Sequence, residues 1–231
     1  MISIIIPVYN EEESIGILIS YLKQYSHSEE IEIIVVDGGS NDNTVEVAKK
    51  HGAQTIISPE KGRAKQMNYG AQKARGDWLY FLHADTFPPQ SFTKDIAAKI
   101  KEGFECGCFL LGFDSDHPAL QFFSWFTRFD LNIFRFGDQS LFAKKALFCQ
   151  LNGFNEKLMV MEDQEIVQRL KKHAQFGIIK KAVRTSARKY QRFGVFRLQL
   201  IFSIIVVLYY LKVSQKTLAH FYRTSMSGSP Y

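Results

Sequence analysis

The chain has 231 residues, of which 46% are hydrophobic and 23% charged, a composition that is ordinary for a globular protein. The sequence contains no internal repeat and no low-complexity segment. Its net charge of +6 is unevenly distributed, because 13 of the 29 Lys and Arg residues follow Glu165, the last acidic residue. Residues 1–165 therefore carry 16 basic and 23 acidic groups, so an acidic part suited to a cation precedes a basic part suited to phosphates or an anionic membrane.

Short apolar runs alternate with amphipathic segments over the first half of the chain. The pattern predicts strands at 2–6, 31–36 and 53–57, a fourth strand beginning at residue 77, and helices at about 14–25, 44–51 and 63–75. Strand–helix units of this length predict an α/β fold with a parallel, right-handed, doubly wound sheet.

The stretch 77–86 is the centre of this pattern. Five of its first six residues are large and apolar or aromatic, as in a strand buried on both faces, and the run ends at His83-Ala84-Asp85. A carboxylate at the carboxyl end of a buried strand can bind a divalent cation, and the cation can bind a diphosphate. The alternative is a strand-end turn in which Asp85 caps the next helix.

Polar residues also follow the first two strands, at Tyr9–Glu11 and at Asp37. Because the carboxyl ends of parallel strands share one edge of a sheet, we expect these residues to converge with His83–Asp85 on a single crevice. Taken singly, Asp37 also fits an Asx turn and the first cluster a surface loop. A Rossmann dinucleotide site requires Gly-x-Gly-x-x-Gly after the first strand, and Pro-Val-Tyr-Asn-Glu-Glu stands there instead.

The three cysteines, Cys106, Cys108 and Cys149, are odd in number and lack metal-ligand spacing. We expect them to be reduced core thiols of a cytosolic protein. The N-terminus has no basic region, and its apolar run reaches Pro7 too soon for a secretory signal, so no signal peptide is predicted.

Five ordered motifs over residues 2–170 resemble family 2 glycosyltransferases of the GT-A fold, most closely the short bacterial members with Gly-Arg-Ala-x-Gln-Met-Asn and His-Ala-Asp. The motifs are Pro7-Val8-Tyr9-Asn10-Glu11, Val35-Val36-Asp37-Gly38-Gly39-Ser40-x-Asp42-x-Thr44, Gly62-Arg63-x-x-Gln66-x-Asn68-x-Gly70, Gly76-Asp77 and His83-Ala84-Asp85. The resemblance implies a mostly parallel GT-A sheet, a nucleotide-sugar donor, Mg²⁺ or Mn²⁺ as cofactor, and an inverting single displacement.

The same resemblance assigns the donor side of the site. It implies that Tyr9 lines the nucleobase pocket beside Pro7 with Glu11 nearby, that Asp37 contacts the base or ribose, and that Arg63 faces the base and diphosphate. The remaining donor residues that it implies are His83, Asp85 as the metal ligand, and Arg192 near the diphosphate.

Two positions depart from the family pattern. His83 stands where the family has the first Asp of Asp-x-Asp, and Gly38 stands where it has the second Asp of Asp-Asp-Gly-Ser. A neutral imidazole at position 83 can still hydrogen-bond a ribose hydroxyl or the diphosphate.

The acceptor side lies in the second half of the chain. The resemblance implies that Asp163 is the catalytic base, and repulsion among Glu162, Asp163 and Glu165 is expected to raise the pKa of the Asp toward values useful for a base. The alternative is a set of acids at a helix N-terminus, favoured by the helix dipole. We assign Glu162 to acceptor binding, and Asp138 and Gln139 to binding of the acceptor or of the donor sugar.

An aromatic segment precedes these acids. His117, Trp125 and the Phe-rich stretch 122–136 are read either as an apolar acceptor wall or as a core helix.

The C-terminal part differs in character from the rest. Residues 198–211 are almost wholly apolar, but a run of fourteen is too short to span a bilayer. Basic residues without any acid flank the run, which favours a helix in the membrane interface or against a second subunit over a core helix. We therefore divide the chain into a GT-A domain at 1–190 and a basic and apolar helical tail at 191–231.

Together these features predict a metal-dependent glycosyltransferase in the cytoplasm, peripheral on the inner face of the cell membrane. The expected acceptor is lipid-linked or otherwise membrane-associated, including carotenoid or polyprenyl lipids. The alternative is a nucleotide-sugar-binding or scaffold module that has lost catalysis, to which His83 and Gly38 point, whereas Asp85 and Asp163 favour the enzyme. Nucleic acid is not expected as a partner, because the basic tail is aliphatic.

Overall fold

The computed structural model describes residues 1–26 and 30–227, so the last four residues of the predicted tail lie outside the described part. Eight strands of the described part form one sheet. They are β1 (Ile2–Val8), β2 (Ile31–Asp37), β3 (Gln54–Ile57), β4 (Trp78–Phe81), β5 (Thr86–Phe87), β6 (Cys106–Phe113), β7 (Leu141–Lys144) and β8 (Phe176–Thr185).

Ten α-helices lie between and after these strands in the described residues. They are α1 (Glu12–Tyr25), α2 (Thr44–Lys50), α3 (Arg63–Lys73), α4 (Phe92–Lys101), α5 (Pro118–Trp125), α6 (Lys145–Gln150), α7 (Glu162–His173), α8 (Arg188–Phe193), α9 (Val195–Tyr210) and α10 (Gln215–Ser227). Three short 3₁₀ turns cover Phe126–Arg128, Asn132–Phe134 and Gly137–Gln139.

The strand order across the sheet is β3-β2-β1-β4-β7-β6-β8-β5. The first four strands are mutually parallel, and β6 is parallel to β8. Strand β7 is antiparallel to both of its neighbours, and β5 is antiparallel to β8. The predicted α/β fold with a mostly parallel sheet is therefore confirmed, and the sheet extends beyond the four strands that the sequence pattern predicted.

Helices cover both faces of the sheet. The apolar face of α1 buries Ile15, Leu18, Ile19 and Leu22 on one side, as its periodicity predicts. Helix α3 packs on the other side, where Gly70 is required because a Cβ there would lie 2.6 Å from Cγ2 of Ile5. This close packing holds the N-terminus of α3 beside the ends of β1 and β2.

Strand β1 runs through Pro7 to Val8, beyond its predicted end at Ile6. A proline is tolerated at this position because β4 pairs with β1 only as far as Phe81, opposite Ile5. The strand thus carries the chain two residues further toward the crevice before Tyr9.

The cysteines lie in two environments. Cys106 and Cys108 are buried in β6, whereas Cys149 is exposed. The prediction of a core thiol is wrong for Cys149, because the short helix α6 turns only Leu147 and Phe148 inward.

The predicted apolar tail segment forms most of α9, which has 16 residues. No helix in residues 1–26 and 30–227 has both the length and the hydropathy that a bilayer span requires.

Candidate active site

The loops after β1 and β2 are joined by hydrogen bonds at the carboxyl edge of the sheet. The Glu11 amide donates to Oγ1 of Thr44 at 2.8 Å, and the Asn10 amide donates to Oγ of Ser40 at 2.9 Å. Asn10 adopts a left-handed conformation with φ of 54°, which asparagine tolerates better than most residues. The two polar clusters that the sequence places after these strands therefore lie against each other.

Tyr9 stands at the open side of this pair of loops, with 51% of its surface exposed. Lys61 Nζ lies 5.8 Å from its ring centroid, within the range of a weak cation–π contact. Pro7 precedes it in the strand, in register with Val36. An exposed aromatic ring at a strand end can stack on a planar ligand such as a nucleobase.

Asp37 is buried, and its own loop occupies its carboxylate. Oδ2 accepts hydrogen bonds from the amides of Gly39 at 2.8 Å and Ser40 at 3.0 Å, and Oδ1 accepts one from the Ser40 hydroxyl. This is the Asx-type turn that the sequence offered as the alternative. The contact between Asp37 and a base or ribose stays a prediction.

The glycine at position 38 has a structural explanation. A Cβ there would lie 3.0 Å from Nε2 of Gln66, which donates to the carbonyls of Val8 at 2.9 Å and Val36 at 2.8 Å. The side-chain amide of Gln66 thus links the ends of β1 and β2 and occupies the space beside residue 38.

Asn68, from the same motif, binds the segment that precedes α7. Its amide donates to the Phe154 carbonyl at 2.9 Å and accepts from the Phe154 amide at 2.8 Å. Gln66 and Asn68 therefore hold backbone segments, and Arg63 is the residue of this motif that reaches the site.

Arg63 is the first residue of α3 and faces the acids of α7. Its Nη1 lies 3.5 Å from Oε1 of Glu162 and 3.8 Å from Oδ2 of Asp163. A residue predicted for the donor side thus contacts two residues predicted for the acceptor side. The two sides of the site share one cluster of charges.

Glu162 and Asp163 open α7 directly after Met161, whose left-handed φ of 69° is uncommon for a side chain of this kind. The Glu162 side chain is only 5% exposed, and desolvation together with the adjacent Asp163 raises its pKa to about 7 against the opposing effect of Arg63. Asp163 is more accessible, at 20%. The pair thus consists of a buried carboxyl and a neighbouring carboxylate that a ligand can reach.

Gly137 makes room for Asp163. A Cβ on Gly137 would lie 2.2 Å from Oδ2 of Asp163, so any larger residue would displace that carboxylate. The sequence offers no signal for this requirement, because the two residues are 26 positions apart.

His83 forms a hydrogen bond with Asp138, between Nδ1 and Oδ1, at 2.9 Å. Although desolvation opposes ionisation, this hydrogen bond and the charges of His83, Arg63 and Lys189 lower the pKa of Asp138 to about 2. The histidine that replaces the first Asp of the family motif therefore has an acidic partner from the 3₁₀ turn that follows Phe136.

A cavity of about 340 Å³ opens above these residues, between α7 and α9; we call it the α7–α9 cavity. His83, Asp138, Glu162 and Asp163 form its polar end. Six aromatic side chains contribute to its walls: Phe113, Phe123, Phe136, Tyr190, Phe202 and Tyr222. Such a cavity suits a ligand with an apolar body and a polar group that reaches Asp163.

The C-terminal helices belong to this cavity. Gln215 Oε1 accepts hydrogen bonds from the amides of Met159 at 2.9 Å and Val160 at 3.3 Å, just before α7. The Tyr210 hydroxyl donates to Oε1 of Gln164 at 3.3 Å. The division of the chain at residue 190 stays a prediction, and the tail forms one wall of the site.

Some predicted residues do not line the cavity. Gln139 is buried, its Nε2 donating to the Phe134 carbonyl at 2.9 Å and its Oε1 accepting from Arg135 at 3.2 Å. His117 is exposed and caps α5 through the Ala119 amide. Trp125 is also exposed. The core-helix alternative for this segment is wrong, because α5 buries only Leu120.

Arg188 is a site residue that sequence reasoning missed. Its Nη2 lies 2.9 Å from Oε2 of Glu11 and 3.6 Å from Oδ2 of Asp85. Arg192, predicted to lie near the diphosphate, is exposed and lies over the ring of Phe193 at 5.3 Å. The signal in the sequence was only the excess of basic residues after Glu165.

Four basic residues line a recess of about 650 Å³ beside Asn10 and Glu11; we call it the basic recess. They are Arg188, Lys189, Arg192 and Arg223. The recess shares Lys189, Tyr222 and Arg223 with the α7–α9 cavity, so a positively charged chamber adjoins an amphipathic one.

The residues around Asp85 fit a divalent metal ion that takes its remaining ligands from a bound phosphate group and water. In the described part of the chain no three His, Cys, Asp or Glu side chains are grouped to hold a metal. Asp85 offers one carboxylate, and Glu11 lies nearby, because both form ion pairs with Arg188. Mg²⁺ sites in proteins commonly consist of one or two carboxylates plus substrate phosphates and water. The arrangement fits an ion of that kind and not a preformed cage.

The chain is similar to known proteins in both sequence and fold. The chain matches the family described as Glycosyl transferase family 2 over residues 3–150. An uncharacterized glycosyltransferase of Haemophilus influenzae is 28% identical over 76% of this chain and 64% of that protein. An undecaprenyl-phosphate 4-deoxy-4-formamido-L-arabinose transferase of Shewanella sediminis is 30% identical over 45% of this chain and 34% of that protein.

Among solved structures, the mannosyltransferase PcManGT from Pyrobaculum calidifontis in complex with GDP-Man and Mn2+ has a TM-score of 0.69 at 17% identity, over 90% of this chain and 61% of that chain. This similarity confirms the GT-A fold. The chain spans less than two thirds of the length of each of these proteins.

Proposed function

Because the chain belongs to glycosyl transferase family 2, we propose that it is an inverting, metal-dependent enzyme that moves one sugar from a nucleotide-diphosphate sugar to a hydroxyl group of a lipid-linked acceptor. The observation that carries this proposal is the position of Asp163. It lies at the polar end of the α7–α9 cavity and within 3.8 Å of Arg63, which begins the helix beside the donor loops.

The donor fits the crevice at the ends of β1, β2 and β4. Tyr9 is positioned to stack on the base, and Asp37 shapes the loop that receives the ribose. Arg63 and the basic recess supply positive charge for the diphosphate. Asp85 is the residue that would hold Mg²⁺ or Mn²⁺, and the bound ion would supply further positive charge to the leaving diphosphate.

In the reaction, Asp163 accepts the proton of the acceptor hydroxyl as that oxygen forms its bond to the anomeric carbon. The bond between the anomeric carbon and the diphosphate oxygen breaks, and the nucleoside diphosphate leaves with its electron pair. Attack from the face opposite the leaving group inverts the anomeric configuration. Glu162, adjacent to Asp163, holds Arg63 beside the reacting carboxylate.

The acceptor is proposed from the chemistry of the cavity. Aromatic walls beside a polar end favour an acceptor with an apolar body near the reacting hydroxyl, such as a polyprenyl or carotenoid lipid. The undecaprenyl-phosphate transferase among the relatives supports this class. Acceptors without an apolar portion would leave the aromatic side chains in contact with water.

The outer face of α9 supports peripheral binding to an anionic membrane. Phe196, Leu200, Val207 and Leu211 are exposed at helical spacing and form a surface that we call the α9 stripe. Exposed basic residues, Arg192, Arg197, Lys212 and Lys216, lie along and beside it. An apolar stripe among cations matches the acyl boundary and the phosphates of the inner leaflet, and no Asp or Glu follows Glu165 in the sequence. Self-association through the stripe is the competing outcome.

Binding and turnover measurements test the proposal. Calorimetry with UDP and GDP should show nucleotide binding that is lost when a chelator is added and in the Asp85→Ala variant. In a turnover assay, a matching nucleotide sugar and a polyprenyl acceptor should release nucleoside diphosphate. Nucleotide binding without any transfer, over a panel of sugars and lipid acceptors, would instead favour the binding module without catalysis. Equal nucleotide affinity with and without chelator would contradict the metal dependence.

A further inference from the structure

Arg188 lies between two carboxylates that belong to different strand ends. Glu11 follows β1 and Asp85 follows β4, and Nη2 of Arg188 is within 3.6 Å of both. In residues 1–26 and 30–227, Arg188 is the only cation within ion-pair distance of Asp85. Glu11 has a second partner, because its Oε2 also accepts a hydrogen bond from Ser14 at 2.8 Å.

The backbone at Arg188 is fixed while its side chain is half exposed. The Ser186 amide donates to the Asp85 carbonyl at 3.1 Å, and the Ala187 amide donates to Oδ1 of Asp114 at 2.7 Å. The Arg188 side chain is 48% exposed and borders the basic recess. A long side chain on an anchored backbone can change partners without moving α8.

We propose that Arg188 and the divalent cation compete for Asp85, and that Arg188 passes from Asp85 to the diphosphate of the donor when the cation binds. This inference rests on the proposed function, because it concerns the same donor site. A guanidinium 3.6 Å from a carboxylate oxygen repels a divalent ion that binds the same oxygen. The diphosphate offers Arg188 a bidentate partner in exchange.

The competition makes metal and nucleotide binding mutually dependent. A cation alone must displace Arg188 from Asp85 without compensation, whereas a cation that arrives with a diphosphate gives Arg188 a new anionic partner. Each ligand should therefore raise the affinity for the other, and by linkage the two effects are equal. The chain would then bind little metal until a nucleotide is present.

The test is a titration of the full chain with Mn²⁺ alone, in which electron paramagnetic resonance measures the concentration of the free ion. Arg188→Gln should bind Mn²⁺ about five- to tenfold more tightly than the unsubstituted chain, a range that allows for the partial exposure of the pair. With saturating Mn²⁺, the same variant should bind UDP or GDP about tenfold more weakly. Arg188→Lys keeps the charge and should fall between the two proteins on both measurements.

Two variants serve as controls. Arg184→Gln removes the same charge from an exposed residue near Asp85 and should leave the affinity for Mn²⁺ unchanged. Adding Asp85→Asn to Arg188→Gln should abolish the gain, because the gain depends on that carboxylate. If Arg188→Gln binds Mn²⁺ no better than the unsubstituted chain, or binds none, the inference is wrong.

The outcome is independent of the proposed activity. The Mn²⁺ titration needs neither donor nor acceptor, so the competition can be established in a chain that transfers no sugar. Conversely, normal transfer with identical Mn²⁺ affinities in both proteins would leave the glycosyltransferase standing and overturn the competition.

Discussion

Glu162→Gln is expected to stabilise the protein at neutral and higher pH. The side chain is 5% exposed, and desolvation and Asp163 raise its pKa from the ordinary 4.5 to about 7. Because the pKa is raised on folding, the stability associated with this carboxyl is fully present below about pH 4.5 and is lost as the pH rises through about 7. Glutamine keeps the shape of the protonated acid and cannot ionise, so it removes that loss.

The magnitude follows from the two pKa values. Linkage gives a stabilisation by Gln of about 1 kcal/mol at pH 5 and about 3 kcal/mol at pH 8. Urea unfolding followed by circular dichroism at both values measures the difference, and the change between them is the diagnostic quantity. Glu165→Gln is the matched control on the same helix, because Glu165 forms a bidentate pair with Arg169 and its removal should stabilise at neither pH.

Two results would refute this reasoning. A stabilisation that is the same at pH 5 and pH 8 would mean that it does not arise from ionisation. A loss of stability at pH 8 would mean that Glu162 is ionised and that its attraction to Arg63 outweighs its desolvation.

Three further predictions concern the base, its surroundings and the tail. Asp163→Asn should lower kcat by roughly 10²–10⁴-fold with nearly unchanged nucleotide affinity, and normal turnover would reduce Asp163 to a helix-start acid. Gly137→Ala should lower kcat by at least about tenfold while calorimetric nucleotide binding persists, because the added methyl displaces the Asp163 carboxylate. The double substitution Leu200→Glu and Val207→Glu should reduce co-sedimentation with anionic vesicles at low salt. The control Ile57→Glu, at an equally exposed residue of β3, should not reduce it. If the double variant, the control and the unsubstituted chain sediment identically, α9 has a packing or dimerisation role.

The first half of the fold was predictable because its signals are local. Apolar runs of four to seven residues separated by amphipathic helices specify strands buried by helices on both faces, and β1, β2 and α1 follow that pattern. The antiparallel strand β7 was not predictable in the same way. It has four residues and follows a 3₁₀ turn, so its place between β4 and β6 depends on pairing with distant strands.

The aromatic segment before β7 shows a second limit. Its composition fits a core helix as well as a binding wall, and local periodicity cannot distinguish them. In the structure Phe122 and Trp125 are exposed while Phe123 and Phe136 face the α7–α9 cavity. The outcome depends on tertiary structure, because residues of α9, about 70 positions later in the chain, line the same cavity as Phe123 and Phe136.

The sequence by itself determined which chemical groups stand at the strand ends, because a carboxylate that follows a buried parallel strand must emerge at the ligand-binding edge of the sheet. It therefore placed Asp37 and Asp85 correctly as residues of that edge. Only the tertiary structure decided how the charges are paired. Arg63 faces Glu162 and Arg188 faces Asp85 across separations of about 100 residues. The ion-pair partners of long, flexible side chains are determined by proximity in the folded structure, so no local sequence pattern indicates them.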